Sequence, residues 1–247
     1  MAIRWTMALW DFPPETFEAA TTFWLKVTDA HLSEPYGDRN EFAALLPQGG
    51  DPYLWVQRLQ SGGAAVHLDL LVDDVASEAA RAEGLGAAIV REAEEGLVVV
   101  LQSPGAMTFC VVAHDGQSRR PAPARWPGGH RSAVDQLCLD VPPELYEHEL
   151  GFWEQLTGRP RVPSGPPGFE RLERPEGMPL ELLFQRLDEA EPDRPVRARV
   201  DLACSDVEAE TARHRELGAV PLERFGSWQV LRDPAGLEYR ITDRVPD

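Results

Sequence analysis

The chain has 247 residues, 43% hydrophobic and 8% aromatic, enough to bury one large core or two ordinary ones and too apolar for a disordered chain. Its 24 Lys and Arg stand against 41 Asp and Glu, a formal net charge of −17, which repels phosphate backbones and anionic lipid, so neither nucleic acid nor a membrane surface is an expected partner. No apolar stretch approaches the roughly 20 residues of a membrane span, and the N-terminus lacks a basic-then-apolar signal pattern, so a cytoplasmic location is expected.

Taken in chain order, the first segment reads as a strand carrying Trp5, Met7 and Trp10. The odd spacing between its two tryptophans sends them to opposite faces. Residues 12–28 follow, with Pro-Pro-Glu, a later Phe-Trp pair and a closing Thr. Residues 141–157 repeat all three features at an offset of 129. His67-Leu-Asp-Leu-Leu-Val-Asp-Asp-Val, running on to Leu85-Gly86-Ala87, is repeated as Arg199-Val-Asp-Leu-Ala-Cys-Ser-Asp-Val, running on to Leu217-Gly218-Ala219, at an offset of 132. Two matches in the same order at nearly the same offset mark a tandem duplication. Between the copies, Gly116, Pro121, Pro123, Pro127, Gly128 and Gly129 interrupt a stretch without apolar periodicity, which reads as a linker. The expected division is residues 1–114, a linker over 115–130, and residues 131–245, each copy an ordinary domain size.

The second copy shows the order of elements. Residues 132–141 read as a strand, and Pro-Pro-Glu opens a helix that runs to Gly158 with Leu145, Phe152, Trp153 and Leu156 at the helical period. Short strands follow at Phe169–Leu172 and Leu180–Leu187. The pattern then restarts with a strand at Arg199–Cys204, a helix at Val207–Leu217, and strands near Pro221–Phe225, Trp228–Arg232 and Glu238–Thr242. Asp233-Pro234-Ala235-Gly236 has the chemistry of a tight turn. Cys110, Cys138 and Cys204 lie in apolar runs and read as small core residues, whereas His148 and His214 read as solvated helix positions.

At these residues the chain resembles the glyoxalase/bleomycin-resistance/dioxygenase superfamily, the vicinal oxygen chelate proteins. The resemblance rests on Phe-Trp followed by Leu-Thr-Gly at 152–158, the second start at 67–75, the helix closing on Leu-Gly-Ala, and the final Asp-Pro-x-Gly-x-Glu at 233–238. It implies an α+β fold of two tandem domains, each two βαβββ modules forming a cupped mixed sheet with helices on the outside. It also implies four strand positions that hold a divalent ion in the metal-dependent members, through His, Gln or Glu. In the second copy these fall on Gln136, Glu181, Arg199 and Glu238. Arginine has no lone pair to give a metal, so this set is degenerate, and Arg199 is expected to lie between the two carboxylates in the ion's place. In the first copy they fall on Met7, Tyr53, His67 and Thr108, of which only His67 is a transition-metal ligand.

Three readings of function follow. The favoured one is a metal-independent, bleomycin-resistance-like protein that binds a small organic molecule in the cup of the first copy, lined by Met7, Trp10, Tyr53, Trp55, His67 and Thr108. It expects no metal and no other cofactor, a small-molecule ligand as partner, and leaves a homodimer open. The second is a metal-dependent lyase or dioxygenase of the glyoxalase type, and the third a non-catalytic scaffold or partner-binding protein.

Overall fold

The computed structural model of the chain describes residues 3–93, 96–189 and 195–247. The first module is β1 (Ile3–Phe12), α1 (Phe17–Thr28), β2 (His31–Leu32), β3 (Phe42–Leu46) and β4 (Leu54–Arg58). The second is β5 (Ala65–Val72), α2 (Val75–Gly84), β6 (Ala88–Ala93), β7 (Val98–Gln102) and β8 (Thr108–Ala113). A short β9 (Ala124–Arg125) precedes the second copy. There β10 (Arg131–Val141), α3 (Tyr146–Thr157), β11 (Arg161–Pro163), β12 (Phe169–Leu172) and β13 (Glu181–Arg186) form one module. The last module is β14 (Arg197–Cys204), α4 (Val207–Glu216), β15 (Val220–Phe225), β16 (Trp228–Arg232) and β17 (Glu238–Thr242).

Hydrogen-bonded strand order is β2-β3-β4-β1-β5-β8-β7-β6 in the first copy and β11-β12-β13-β10-β14-β17-β16-β15 in the second. The pairs β5·β8 and β14·β17 are parallel while the outer pairs are antiparallel, so both sheets are mixed. This is the expected α+β arrangement of two βαβββ modules per copy. Among the described residues no helix is long and apolar enough to cross a membrane.

The repeated motifs have local structural causes. Asp74 and Asp206, the shared acid before each second-module helix, cap α2 and α4 by accepting from the N–H of Ser77 and Ala209, each at 3.0 Å. Helix α3 ends on Gly158 at φ 66°, a left-handed turn that glycine adopts without strain. It begins later than the sequence suggests, because Pro142–Leu145 close a turn of their own, with the Leu145 N–H donating to the Pro142 carbonyl at 3.0 Å.

The segment read as a linker is docked rather than loose. Its residues Ala124 and Arg125 pair with Ser132 and Arg131. Arg119 exchanges two 2.7 Å hydrogen bonds with Asp51, through its carbonyl and its N–H. Gly50, at φ +89°, lies so close that a Cβ there would meet Pro121 at 2.7 Å.

Two compact units emerge, Met1–Ala8 with His67–Ser118 and Leu137–Ala198, and Leu9–Val66 with Arg119–Gln136 and Arg199–Asp247. Each therefore holds residues of both copies. In the first, Phe109 packs edge-on against Trp153 at 5.0 Å, and the Trp153 indole N–H donates to the buried Glu149 at 2.8 Å. Arg81 pairs with Glu78 one turn earlier on α2 and donates to the carbonyls of Gln155 and Leu156 at the end of α3.

In the second unit Trp10 stacks on Trp24 at 4.2 Å, and the Trp24 indole N–H donates to Asp233 at 2.9 Å. Arg213 repeats the role of Arg81, pairing with Glu210 and donating to the carbonyls of Lys26 and Val27 at 3.1 Å, which caps α1. Glu210 is wholly buried and also accepts from Ser132 at 2.6 Å and lies 2.8 Å from His130 and 3.1 Å from His214. His148 is exposed, as expected. His214 is not: it is fully buried, because α4 turns it inward onto the Tyr239 hydroxyl at 2.8 Å.

Candidate functional site

The three cysteines are buried and none forms a disulfide. One of them is more than core packing. On β5, His67 and Asp69 are two residues apart and so share a face; in the parallel register with β8, Asp69 stands beside Cys110. The His67 Nε2 lies 3.5 Å from an Asp69 carboxylate oxygen, and one donor atom from each of His67, Asp69 and Cys110 lies within 4.8 Å of the others. They are 6%, 6% and 7% exposed. All three belong to the first compact unit.

The second copy provides a control for this cluster. At the same places it has Arg199, Asp201 and Arg240, with Asp201 paired in register to Arg240 and its carboxylate 3.5 Å from the Arg199 Nε. Both copies therefore bury an aspartate at this point of the sheet. The second surrounds it with side chains that carry permanent positive charge, while the first surrounds it with an imidazole and a thiol. Imidazole, carboxylate and thiolate form a nitrogen, oxygen and sulfur donor set suited to a borderline-soft divalent ion such as zinc. The residues present thus fit a metal ion in the first copy and do not in the second.

Of the residues read from sequence as a ligand cup, Met7 and His67 are buried and Thr108 exposed in the first unit. Trp10, Tyr53 and Trp55 belong to the second unit. The Trp10 ring is fully buried and taken up by its stack on Trp24 of α1, so it has no surface left for a ligand. Trp55 is half-buried and edge-on to Tyr36 at 5.6 Å, and the Tyr53 hydroxyl donates to the Val134 carbonyl at 2.7 Å.

In the degenerate set, Gln136 is buried on β10 and Glu181 accepts from Arg171 at 2.8 Å. Glu238 is exposed and accepts from Arg232 at 3.0 Å. The expected bridge of Arg199 between both carboxylates is therefore not made at Glu238. The reason is a competing partner: Glu238 is exposed and stands opposite Arg232 on β16, whose guanidinium takes its carboxylate.

The second unit also contains a cavity of about 590 Å³, within the range of small-molecule sites. Its walls come from the end of α1, residues 45–54, the segment 119–125 and the start of β10, with Leu202 of β14. Most polar side chains on it are already committed. Thr28 donates to Trp24, Gln48 to Asp29, Tyr53 to Val134 and Ser132 to Glu210. Arg120 pairs with Asp247 at 2.8 Å. Arg119 and Arg125 are exposed and make no side-chain ion pair among the described residues.

Two signals for these features were present in the sequence but not decisive. The spacing His67-Leu-Asp69 places two ligand types on one strand face, but Cys110 joins them only once β8 is known to lie parallel to β5. The cavity depends on where the docked linker runs, which local pattern does not encode.

Comparison with known proteins gives a consistent picture. Residues 11–112 and 136–242 each match the glyoxalase-like domain. No curated protein matches the sequence. Similar solved structures include a variant of 4-hydroxymandelate synthase from Streptomyces coelicolor, at 13% identity and a TM-score of 0.64, covering 100% of this chain and 94% of that one. The 2,2',3-trihydroxybiphenyl 1,2-dioxygenase of Sphingomonas wittichii has 14% identity and a TM-score of 0.65, covering 98% of this chain and 90% of its own. A 2,3-dioxygenase from Pseudomonas has 11% identity and a TM-score of 0.62, with 100% and 94% covered. At these identities the likeness establishes the fold.

Proposed function

Since the chain belongs to the glyoxalase-like domain family over both of its copies, we propose that it is a metal-dependent protein acting on a small molecule, with one centre formed by His67, Asp69 and Cys110. The observation that carries this reading is the convergence of three buried donor atoms of different type within 4.8 Å in the first copy. The expectation of a metal-free protein counted the four family positions, and neither Asp69 nor Cys110 is among them. When bound, a divalent ion would supply Lewis acidity to an oxygen of the substrate. Asp69 and a Cys110 thiolate would hold the ion and balance its charge, and the His67 imidazole, two residues before Asp69 on the same strand, would supply the nitrogen ligand. Names such as ring-cleaving dioxygenase among the similar structures agree with metal chemistry but share too little sequence to assign the reaction.

The protein is expected to purify with about one equivalent of a divalent transition metal per chain, measured by elemental mass spectrometry. Reloaded with cobalt, it should show thiolate-to-metal charge transfer in the near ultraviolet. That band should vanish in Cys110→Ser and remain in Cys138→Ser. A folded protein that neither retains a metal nor develops the cobalt band would overturn the proposal. Oxygen consumption on adding a catechol to the loaded protein would assign dioxygenase chemistry.

A second reading, metal-independent binding of a small organic molecule, is favoured by the cavity of the second unit.

A further inference from the structure

We infer that the cavity of the second unit is a binding site for a small organic anion, an apolar body carrying a carboxylate or phosphate head, held through Arg119 and Arg125. The inference stands on different residues from the metal centre and does not need it.

The argument begins with charge. The chain carries 41 acidic against 24 basic residues, so an arginine has acidic side chains available over most of the surface. Arg119 and Arg125 nevertheless stand without an ion pair among the described residues, seven positions of one segment supplying both and Arg120 between them. Arg120 already has a carboxylate partner in Asp247, which shows how the same edge receives one. Asp29, exposed at the end of α1, is the acidic side chain on the wall; it narrows the choice to ligands whose head sits on the 119–125 side.

The body of the ligand follows from the rest of the wall. Val27, Leu45, Pro47, Leu54, Val134 and Leu202 are apolar. The neutral donors are already used, Thr28, Gln48, Tyr53 and Ser132 each on a partner of the protein. A ligand rich in neutral polar groups would find few partners here, and burying such groups unpaired is unfavourable. An apolar body loses nothing, and the two guanidinium groups offer charge-assisted and bidentate bonds to a carboxylate or phosphate. The segment that presents them is also held in place: its N–H and carbonyl at Arg119 are bonded to Asp51, Pro121 abuts Gly50, and β9 pairs with β10. A pre-organised site of this kind spends little affinity on ordering itself.

The test uses full-length protein and the fluorescent anion 1-anilinonaphthalene-8-sulfonate, with the uncharged parent N-phenyl-1-naphthylamine as the neutral control. The sulfonate is expected to bind saturably, and competition by 1-naphthoate and by 1-naphthyl phosphate reports which head the site prefers. Arg119→Glu with Arg125→Glu should weaken the sulfonate by about tenfold or more, the factor expected for loss of a charge-assisted contact. Both residues are exposed, so the fold should survive, as checked by circular dichroism. Binding of the neutral parent should change little in that variant. Chelation of metal should leave the sulfonate affinity unchanged, which separates this site from the proposed metal centre. Equal binding of charged and neutral probes, an affinity unmoved by the double charge reversal, or no saturable binding would each overturn the inference.

Discussion

Glu210→Ala is expected to lower the stability of the protein by about 3–5 kcal/mol, the cost of removing one partner from a buried charged network. The carboxylate is inaccessible to solvent and accepts from Ser132, from two nitrogens of Arg213 at 2.7 and 2.8 Å, and faces His130 and His214. Without it, Arg213 keeps its bonds to the end of α1 but has no counter-charge, and Ser132 and His130 lose their shared acceptor. Glu208→Ala, an exposed position on the same helix, should change stability by less than about 0.5 kcal/mol. Urea unfolding followed by circular dichroism measures both, and a loss under about 1 kcal/mol at Glu210 would show that the network is a minor contributor.

The same residue predicts a pH dependence. Burial alone would raise the Glu210 pKa, but the hydrogen bonds from Arg213 and His214 and the charge of Arg213 outweigh it and hold the carboxyl well below its ordinary 4.5. An acid with a depressed folded pKa contributes stability that is present above the ordinary value and lost as pH falls beneath it, because the unfolded chain then takes the proton first. Burial lowers the His214 pKa, which keeps its ring neutral. A neutral His214 satisfies both neighbours if Nε2–H donates to Glu210 and Nδ1 accepts from the Tyr239 hydroxyl, whose own pKa is raised by burial. Acid unfolding of the wild type should therefore be steeper below about pH 4.5 than that of Glu210→Ala.

Trp24→Ala should be comparably severe, about 3–5 kcal/mol. The indole is fully buried, stacks on Trp10, meets Tyr239 edge-on at 5.1 Å and donates to Asp233. Trp24→Phe separates the contributions, keeping most of the packing and removing the N–H, for about 1–3 kcal/mol. Burial raises the Asp233 pKa against the hydrogen bonds from Trp24 and the backbone that lower it. Such a group favours folding at low pH and loses that contribution as pH rises through its folded pKa. Loss of the indole donor strengthens this trend, so the deficit of Trp24→Phe should grow from pH 4 to pH 7. A pH-independent deficit would assign the effect to packing alone.

The sequence was legible where structure is local and repeated. The strands Trp228–Arg232 and Glu238–Thr242, the capping aspartates and the Gly158 terminus follow from spacing and residue type, and the duplication exposed the module order. The misses have tertiary causes. His214 looked solvated because α4 is polar overall, yet the second unit covers its inner face with Phe23, Tyr239 and α1. Glu238 looked like a facing carboxylate because a motif ends there, whereas the cross-strand Arg232 takes it at the exposed edge of the strand. Cys110 looked inert because apolar neighbours describe a strand equally well whether or not it borders a ligand cluster.

The arginine caps carry a further implication. Arg81 secures the end of α3 and Arg213 the end of α1, so each copy's second-module helix closes the first-module helix of the other. A protein made of one copy would have had no partner for either element within its own chain, and would have needed an identical chain to supply it. Carrying both copies on one chain makes each cap an intramolecular contact, independent of protein concentration. It also frees the two copies from being identical: one carries histidine and cysteine beside its buried aspartate and the other carries arginines, a division of labour closed to any assembly of like subunits.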